Sequence, residues 1–279
     1  MTGFWVALLD LALPQECAGC EEGGTRWCAP CARVLAQAAA EPFGRCAPQP
    51  CPAGFPRTAA AATYDGVVRS ALLAHKERGR LALVRPLAAA LAGAVRTLDL
   101  APGPIVLVPA PSRRATVRAR GQDHALRLSR RTAHLLRQTG VDVTAAGLLL
   151  PARELADQSG LDATSRAANL AGALRARRRL DGVTVVLVDD VVTSGATLVE
   201  AARALTAAGA LVAGAAVVAA TQRIKDHSIG FTPCASAVSG STVEAGAPAA
   251  PLGASAAGGR EVARHLTSQS RRRSSGSLT

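Results

Sequence analysis

Apolar positions along this chain follow two spacings that alternate. From Val67 to Arg78, and again from Leu81 to Leu98, apolar residues recur every three or four positions, which predicts helices. Ile105–Val108 is then a short apolar run bounded by Pro104 and Pro109, and Asp123–Arg137 returns to helical spacing. Val183–Val188 is a second unbroken apolar run; a helix from about Ala196 to Ala208 stops at Gly209, and Leu211–Ala219 reads as another buried strand. Strands alternating with helices of this length predict an α/β fold, a parallel sheet flanked by helices. Both ends depart from the pattern. Residues 1–60 are Cys-rich and read as a small separate module, 61–222 as the sheet domain, and 223–279 as a Ser-, Gly-, Ala- and Pro-rich tail whose composition predicts disorder.

Composition narrows the class. The 279 residues suffice for one α/β core with a small appendage. Hydrophobic residues are 49% of the chain, but 61 are Ala, so the mean hydropathy of +0.20 reflects small side chains rather than a membrane span. Arg85, Pro86, Arg96 and Asp99 interrupt the Ala-rich stretch from Leu81 to Leu100, short of the ~20 apolar residues a bilayer needs. Met1–Pro14 contains Asp10 and has neither a basic start nor a cleavage site, so it does not read as a signal peptide. A cytoplasmic protein without membrane insertion is expected.

The formal net charge is +12, carried by 30 Arg and only two Lys, Lys76 and Lys225. Residues 61–222 hold 21 basic against 12 acidic residues, so most of the excess surrounds the expected sheet domain and favours phosphates or nucleic acid as partners. Seven Arg lie between Arg113 and Arg131, and Arg175, Arg177, Arg178 and Arg179 form a second group; most are expected to be solvated. No aromatic residue occurs between Asp65 and Gly230, which removes the rings on which single-strand binders stack bases. Lys76 reads as a snorkelling surface residue, with a ligand contact as the alternative, and His124 as a surface histidine whose one claim to a general-base role is that it titrates near neutrality.

The most informative segment runs Val185-Val186-Leu187-Val188-Asp189-Asp190-Val191-Val192-Thr193-Ser194-Gly195-Ala196-Thr197. An apolar strand delivers two acids to its carboxyl end, and a Thr/Ser/Gly loop then opens a helix. Backbone N–H groups at that helix start, with the hydroxyls of Thr193, Ser194 and Thr197, form a cradle for a monophosphate. Gly195 allows close backbone approach, and Asp189 and Asp190 lie where carboxylates can accept hydrogen bonds from a ribose diol. A Walker-type loop is excluded, because no Gly-Lys-Ser/Thr follows.

Near the N-terminus, Cys17-Ala-Gly-Cys20 and Cys28-Ala-Pro-Cys31 are two knuckles seven residues apart, a spacing that suits tetrahedral Zn2+. Four thiolates leave no open coordination position, so the ion is expected to be structural, and its loss to unfold the module while sparing the core. Cys46 and Cys51 are either a degraded second ribbon or free thiols.

The acid-ended strand with its loop resembles the phosphoribosyl pyrophosphate (PRPP) loop of type I phosphoribosyltransferases. Val106-Leu107-Val108-Pro109-Ala110-Pro111-Ser112 resembles the strand and pyrophosphate loop of the same enzymes. Gln158-Ser159-Gly160-Leu161, with Arg166 and Asn169-Leu170, resembles the segment that the ComF (competence protein F) family places where relatives carry a lid. With the four-Cys module, these blocks make the chain similar to ComF proteins from about Leu8 to Thr221. One departure is Arg120-Gly121-Gln122-Asp123, where the family commonly has an aromatic residue after the glycine.

The resemblance implies a Mg2+-dependent glycosyltransferase acting by pentosyl transfer. Asp189, Asp190, Val191, Thr193, Ser194, Gly195, Ala196 and Thr197 would bind PRPP or a related phosphorylated ribose. Pro109, Ala110, Pro111 and Ser112 would hold pyrophosphate, with Gln158, Arg166 and Asn169 in a lid. It also implies two other readings: a competence factor that binds single-stranded DNA beside a helicase-like uptake motor, and a non-catalytic PRPP sensor.

Overall fold

The computed structural model describes residues 15–111, 123–153, 170–221 and 224–226. The first helix, α1 (Ala29–Ala40), follows the Cys knuckles and is succeeded by two strands, β1 (Gly44–Pro48) and β2 (Thr58–Thr63). Next come α2 (Gly66–Lys76), a 3-10 turn at Leu81–Leu83 and α3 (Val84–Arg96). The remainder is β3 (Ile105–Pro109), α4 (His124–Gln138), β4 (Val143–Ala145), β5 (Leu149–Pro151), β6 (Leu174–Ala176), β7 (Thr184–Val192), α5 (Ala196–Thr206), β8 (Leu211–Ala220) and β9 (Ile224–Asp226).

The main sheet has the order β4-β3-β7-β8-β2-β1-β9. Its first five strands are parallel, whereas β1 runs antiparallel to both β2 and β9. The expected α/β architecture is therefore present. Alternate strand residues serve opposite faces: Leu107, Val186, Val188 and Val218 pack with α2, α3 and α4, while Val106, Val108, Val185, Leu187 and Val217 pack with α5. Both faces are thus covered, which is why these strands read as continuous apolar runs. Among the described residues no helix is long and apolar enough to cross a membrane.

Three features differ from expectation. The run Thr58-Ala-Ala-Ala-Ala-Thr63 is a strand, paired in parallel with β8, although Ala favours helices. Ile224–Asp226 pairs with β1, so the chain contributes a sheet strand beyond the point where the tail was expected to begin. The first 60 residues also share the main core: Ala18, Leu35 and Ala38 are buried in the same cluster as Ala88, Leu91 and Val95 of α3. Small residues permit that approach. A Cβ on Gly93 would lie 2.6 Å from the Ala39 carbonyl oxygen, so α3 crosses α1 nearly backbone to backbone.

Strand order also fixes where a ligand can enter. The chain leaves β3 toward α4 on one face and leaves β7 toward α5 on the other, although the two strands are neighbours. Because α4 and α5 lie on opposite faces, the carboxyl ends of β3 and β7 border a crevice at that edge of the sheet, the usual ligand position in open α/β folds.

Candidate functional site

β7 is two residues longer than the acids require, so Asp189 and Asp190 belong to the strand itself and their positions are set by its pairing with β8. Beside them, Pro109 pairs with Val188, and the Ala110 N–H donates to the Val188 carbonyl at 2.8 Å, which fixes the turn after β3 against the acids. Asp189, Asp190, Val191, Thr193 and Thr197 line one cavity of about 540 Å³ together with Ala110 and Pro111. The structure thus brings the start of the loop after β3 and the loop after β7 to one space, with Pro109 immediately before Ala110 in the chain. Ser112 and the lid residues Gln158, Arg166 and Asn169 lie outside the described residues.

The loop after the acids is built around its glycine. Gly195 has φ 77°, a left-handed conformation that L side chains rarely adopt, and it is the N-cap of α5 with no side-chain capping bond. Thr193 and Ser194 therefore do not spend their hydroxyls as that cap. The first N–H groups of α5 have no intrahelical partner, and the helix dipole favours negative charge there. A Cβ on Gly195 would lie 2.6 Å from Phe55 and 3.1 Å from Pro48, so the N-terminal segment braces the loop from behind. Ser194, Gly195 and Ala196 belong to this turn.

The two acids are shifted in opposite directions. Burial, then the neighbouring charge of Asp190, pushes the Asp189 carboxyl well above the usual carboxylate range. Burial opposes ionisation of Asp190 as well, but the Lys76 ammonium, 2.7 Å from Asp190 Oδ2, outweighs it and holds Asp190 below the usual range. The Asp190 N–H donates to Asp189 Oδ1 at 2.8 Å, and the Val191 N–H donates to Asp190 Oδ1 at 3.0 Å. Backbone N–H groups of the strand thus hold one oxygen of each carboxylate.

Lys76 and His124 meet partners that sequence spacing does not show. Lys76, at the end of α2, is exposed as expected, yet it also lines the cavity and binds Asp190. His124 is half-buried at the start of α4 and packs edge-on against His75, with ring centroids 5.1 Å apart. Sequence reasoning did not single out His75. Its ring is 4% exposed, and burial, then the nearby His124, lowers its pKa from the ordinary histidine value. The available signal was Lys76 itself, the single Lys in residues 1–222 of a chain that otherwise uses Arg. Asp123 accepts a hydrogen bond from the Leu126 N–H at 3.0 Å and so caps α4.

The Cys knuckles close on themselves. The ligand atoms of Cys17, Cys20, Cys28 and Cys31 all lie within 4.8 Å of one another, with Cys28 Sγ at 3.5 Å from Cys17 Sγ and 3.6 Å from Cys20 Sγ. Zinc–sulfur bonds of about 2.3 Å in a tetrahedron imply sulfur separations of roughly 3.8 Å, so this donor set fits Zn2+. Burial alone would raise the Cys17 thiol, but backbone N–H groups of Cys28, Cys20 and Gly19 bring it down to about 6. Burial pushes Cys31 up. Gly19 is required for closure, because a Cβ there would lie 2.6 Å from Cys31 Sγ. Cys46 stands apart as a free, buried thiol, pushed up to about 12 by burial, so it does not extend the four-sulfur cluster.

A family model described as the phosphoribosyl transferase domain matches residues 137–246. That stretch contains the acids, the Gly195 loop, α5 and β8, and begins after the Ala110–Pro111 turn. No curated protein matches the chain. Over that stretch the chain is similar to the phosphoribosyl transferase domain, and the acid pair, the Gly195 turn and α5 all lie within the similarity.

Proposed function

We propose that the cavity binds PRPP with Mg2+ and that the protein transfers the phosphoribosyl group to an acceptor, releasing pyrophosphate. The observation that carries the reading is the joint placement, around one cavity, of the acid pair, the uncapped start of α5 and the turn after β3. In this reading the Thr193–Thr197 loop holds the 5′-phosphate through backbone N–H groups and hydroxyls. Asp189 and Asp190 accept the ribose hydroxyls, and the Ala110–Pro111 turn faces the diphosphate. Asp190 carries the negative charge closest to the ribose and would stabilise the positive charge that develops at C1 as pyrophosphate departs.

Among the described residues no three carboxylates or histidines cluster around the acids. Mg2+ would therefore be held largely by ligand oxygens, where it would neutralise diphosphate charge. Positioning and electrostatics supply the catalysis. The four-Cys cluster is read as a structural Zn2+ site.

Similarity of the sequence blocks to ComF proteins supports a place in that family. The cavity does not favour the DNA-uptake reading: among its described lining residues Tyr64 is the one Phe, Tyr or Trp, and stacking platforms normally carry single-strand binding.

The test is isothermal titration of the full chain with PRPP and Mg2+, beside pyrophosphate release over a panel of acceptors. Asp190→Asn and Gly195→Ala should each weaken PRPP at least about tenfold, a loss of ~1.4 kcal/mol or more. Unchanged binding in both variants would remove PRPP from this cavity.

A further inference from the structure

Both carboxylate oxygens of Asp190 are already engaged. Oδ1 accepts from the Val191 N–H at 3.0 Å and Oδ2 from Lys76 Nζ at 2.7 Å. The first bond is part of the strand's own backbone arrangement, but the second is made by a side chain that is 52% exposed, to an acid that is 24% exposed. The ion pair thus sits on the cavity wall, reachable by whatever fills the cavity. A ribose hydroxyl that is to be accepted at Asp190 Oδ2 meets an ammonium already there.

The cation itself is unusual for this chain. Thirty of its 32 basic residues are Arg, whose planar fork would lock onto a carboxylate through two parallel bonds. At this position the chain uses Lys, a compact charge on a flexible stem with three rotatable donors. The turn at Ala110–Pro111 lines the same cavity as Lys76, so an anion lying against that turn competes with Asp190 for one cation.

We propose that Lys76 is an exchangeable counter-ion: it pairs with Asp190 while the cavity is empty and transfers to the diphosphate arm of the ligand, releasing Asp190 Oδ2 for the ribose hydroxyl. This rests on the PRPP reading above and adds the means by which the cavity selects its ligand. A ligand with both a diol and a diphosphate replaces one ion pair by another, with little net cost. Ribose 5-phosphate carries the diol without the diphosphate. Its hydroxyl must either share Asp190 Oδ2 with the ammonium or displace it and leave it with no anion, which is a penalty built against the wrong ligand. The exchange needs a lysine that stays charged throughout. Burial would lower the Lys76 pKa, but the charges of Asp190 and Asp189 reverse this and raise it.

The experiment is titration calorimetry at pH 8 with Mg2+ on the full chain, using PRPP, pyrophosphate and ribose 5-phosphate separately, for wild type, Lys76→Met and Lys76→Arg. Lys76→Met is expected to lose about tenfold in affinity for PRPP and for pyrophosphate, yet to bind ribose 5-phosphate about threefold or more tightly than wild type. Lys76→Arg keeps the charge but should hold Asp190 more firmly, so it should keep the wild-type melting temperature while binding pyrophosphate about threefold or more weakly, which separates loss of exchange from loss of fold. Changes of opposite sign for the two ligands would not arise from a merely structural role. Ribose 5-phosphate affinity that is unchanged or reduced in Lys76→Met overturns the exchange while leaving the PRPP reading intact. Failure of wild type to bind any of the three ligands overturns that reading instead.

Discussion

Two places in this molecule crowd together groups that repel one another when ionised, and they resolve the conflict differently. Around Cys17, Cys20, Cys28 and Cys31, the sulfurs are met by backbone N–H groups and by each other. At the end of β7, the acid pair is met by a cation of the chain itself, Lys76. The difference teaches what each site can be. A cluster without its own counter-charge must take one from outside, and once it has done so it is closed and structural. A cluster with a built-in counter-charge can stand empty and remain available for exchange. Two further groups extend the comparison. Glu200, 4% exposed on α5, accepts from the Leu174 N–H at 2.8 Å and from Arg203 Nε at 2.7 Å, so it ties the β5–β6 ribbon to α5 as an ionised acid. His75 is equally buried, and among the described residues its ring nitrogens have no hydrogen-bond partner of ordinary geometry; burial instead disfavours its charged form.

The largest effect should come from removing metal. Ala18, Leu35 and Ala38 belong to the core shared with α3, so chelation should lower the whole-chain melting temperature by more than about 10 °C, rather than release a detached module. Calorimetry with and without chelator, beside metal analysis of the purified chain, measures this. A metal-free preparation that melts unchanged would break the comparison at its first term.

Glu200→Gln should cost about 2 kcal/mol in urea unfolding at pH 7. Burial opposes ionisation of Glu200, but the bonds from Arg203 and Leu174 prevail and place its pKa below 4.5. A depressed folded pKa gives stability that is complete above the unfolded value and disappears as pH falls through the folded one. Wild type and variant should therefore converge on acidification below about pH 4.5, and a constant gap down to pH 3 would contradict the assignment.

Lys76→Met should cost less, roughly 0.5–1 kcal/mol, because the lysine is half-exposed and solvent screens the pair. Its sharper signature is spectroscopic. Carboxyl carbon NMR should show the Asp190 titration moving upward once the ammonium is gone.

The smallest effect concerns His75. Its folded pKa lies below 6.5, so the unfolded chain binds the extra proton first, and stability falls as pH drops below that value. The groups acting on it are His124 and Arg127, which oppose its protonation, and Asp190 and the Arg80 backbone, which favour it. Wild type should lose melting temperature between pH 7 and 5 more steeply than His75→Gln; parallel slopes would show that His75 does not titrate out of its buried state.

What could be read from sequence follows from how far apart partners lie along the chain. The Cys knuckles and the run from Val185 to Thr197 announce themselves because each is one local segment whose chemistry is complete within about fifteen residues. Lys76 meets an acid 114 positions away, and nothing local to α2 indicates that encounter. β2 was hidden for another reason. Four consecutive alanines carry a helical preference, and they form a strand because β8 offers a parallel partner and α3 packs over it with equally small residues. β9 was hidden by polar surroundings, since three residues suffice to pair with β1.

The same alanines carry a thermal consequence. Ala59, Ala60, Ala61, Ala88, Ala90, Ala92, Ala94, Ala215, Ala216 and Ala219 are all at most 2% exposed, so much of the interior is filled by single methyl groups. Each removes less apolar surface from water than a Leu or Phe would, and the heat capacity released on unfolding scales with that surface. The increment per residue should fall below the usual ~12–15 cal/mol/K, giving a broad, shallow stability curve that changes little across moderate temperatures.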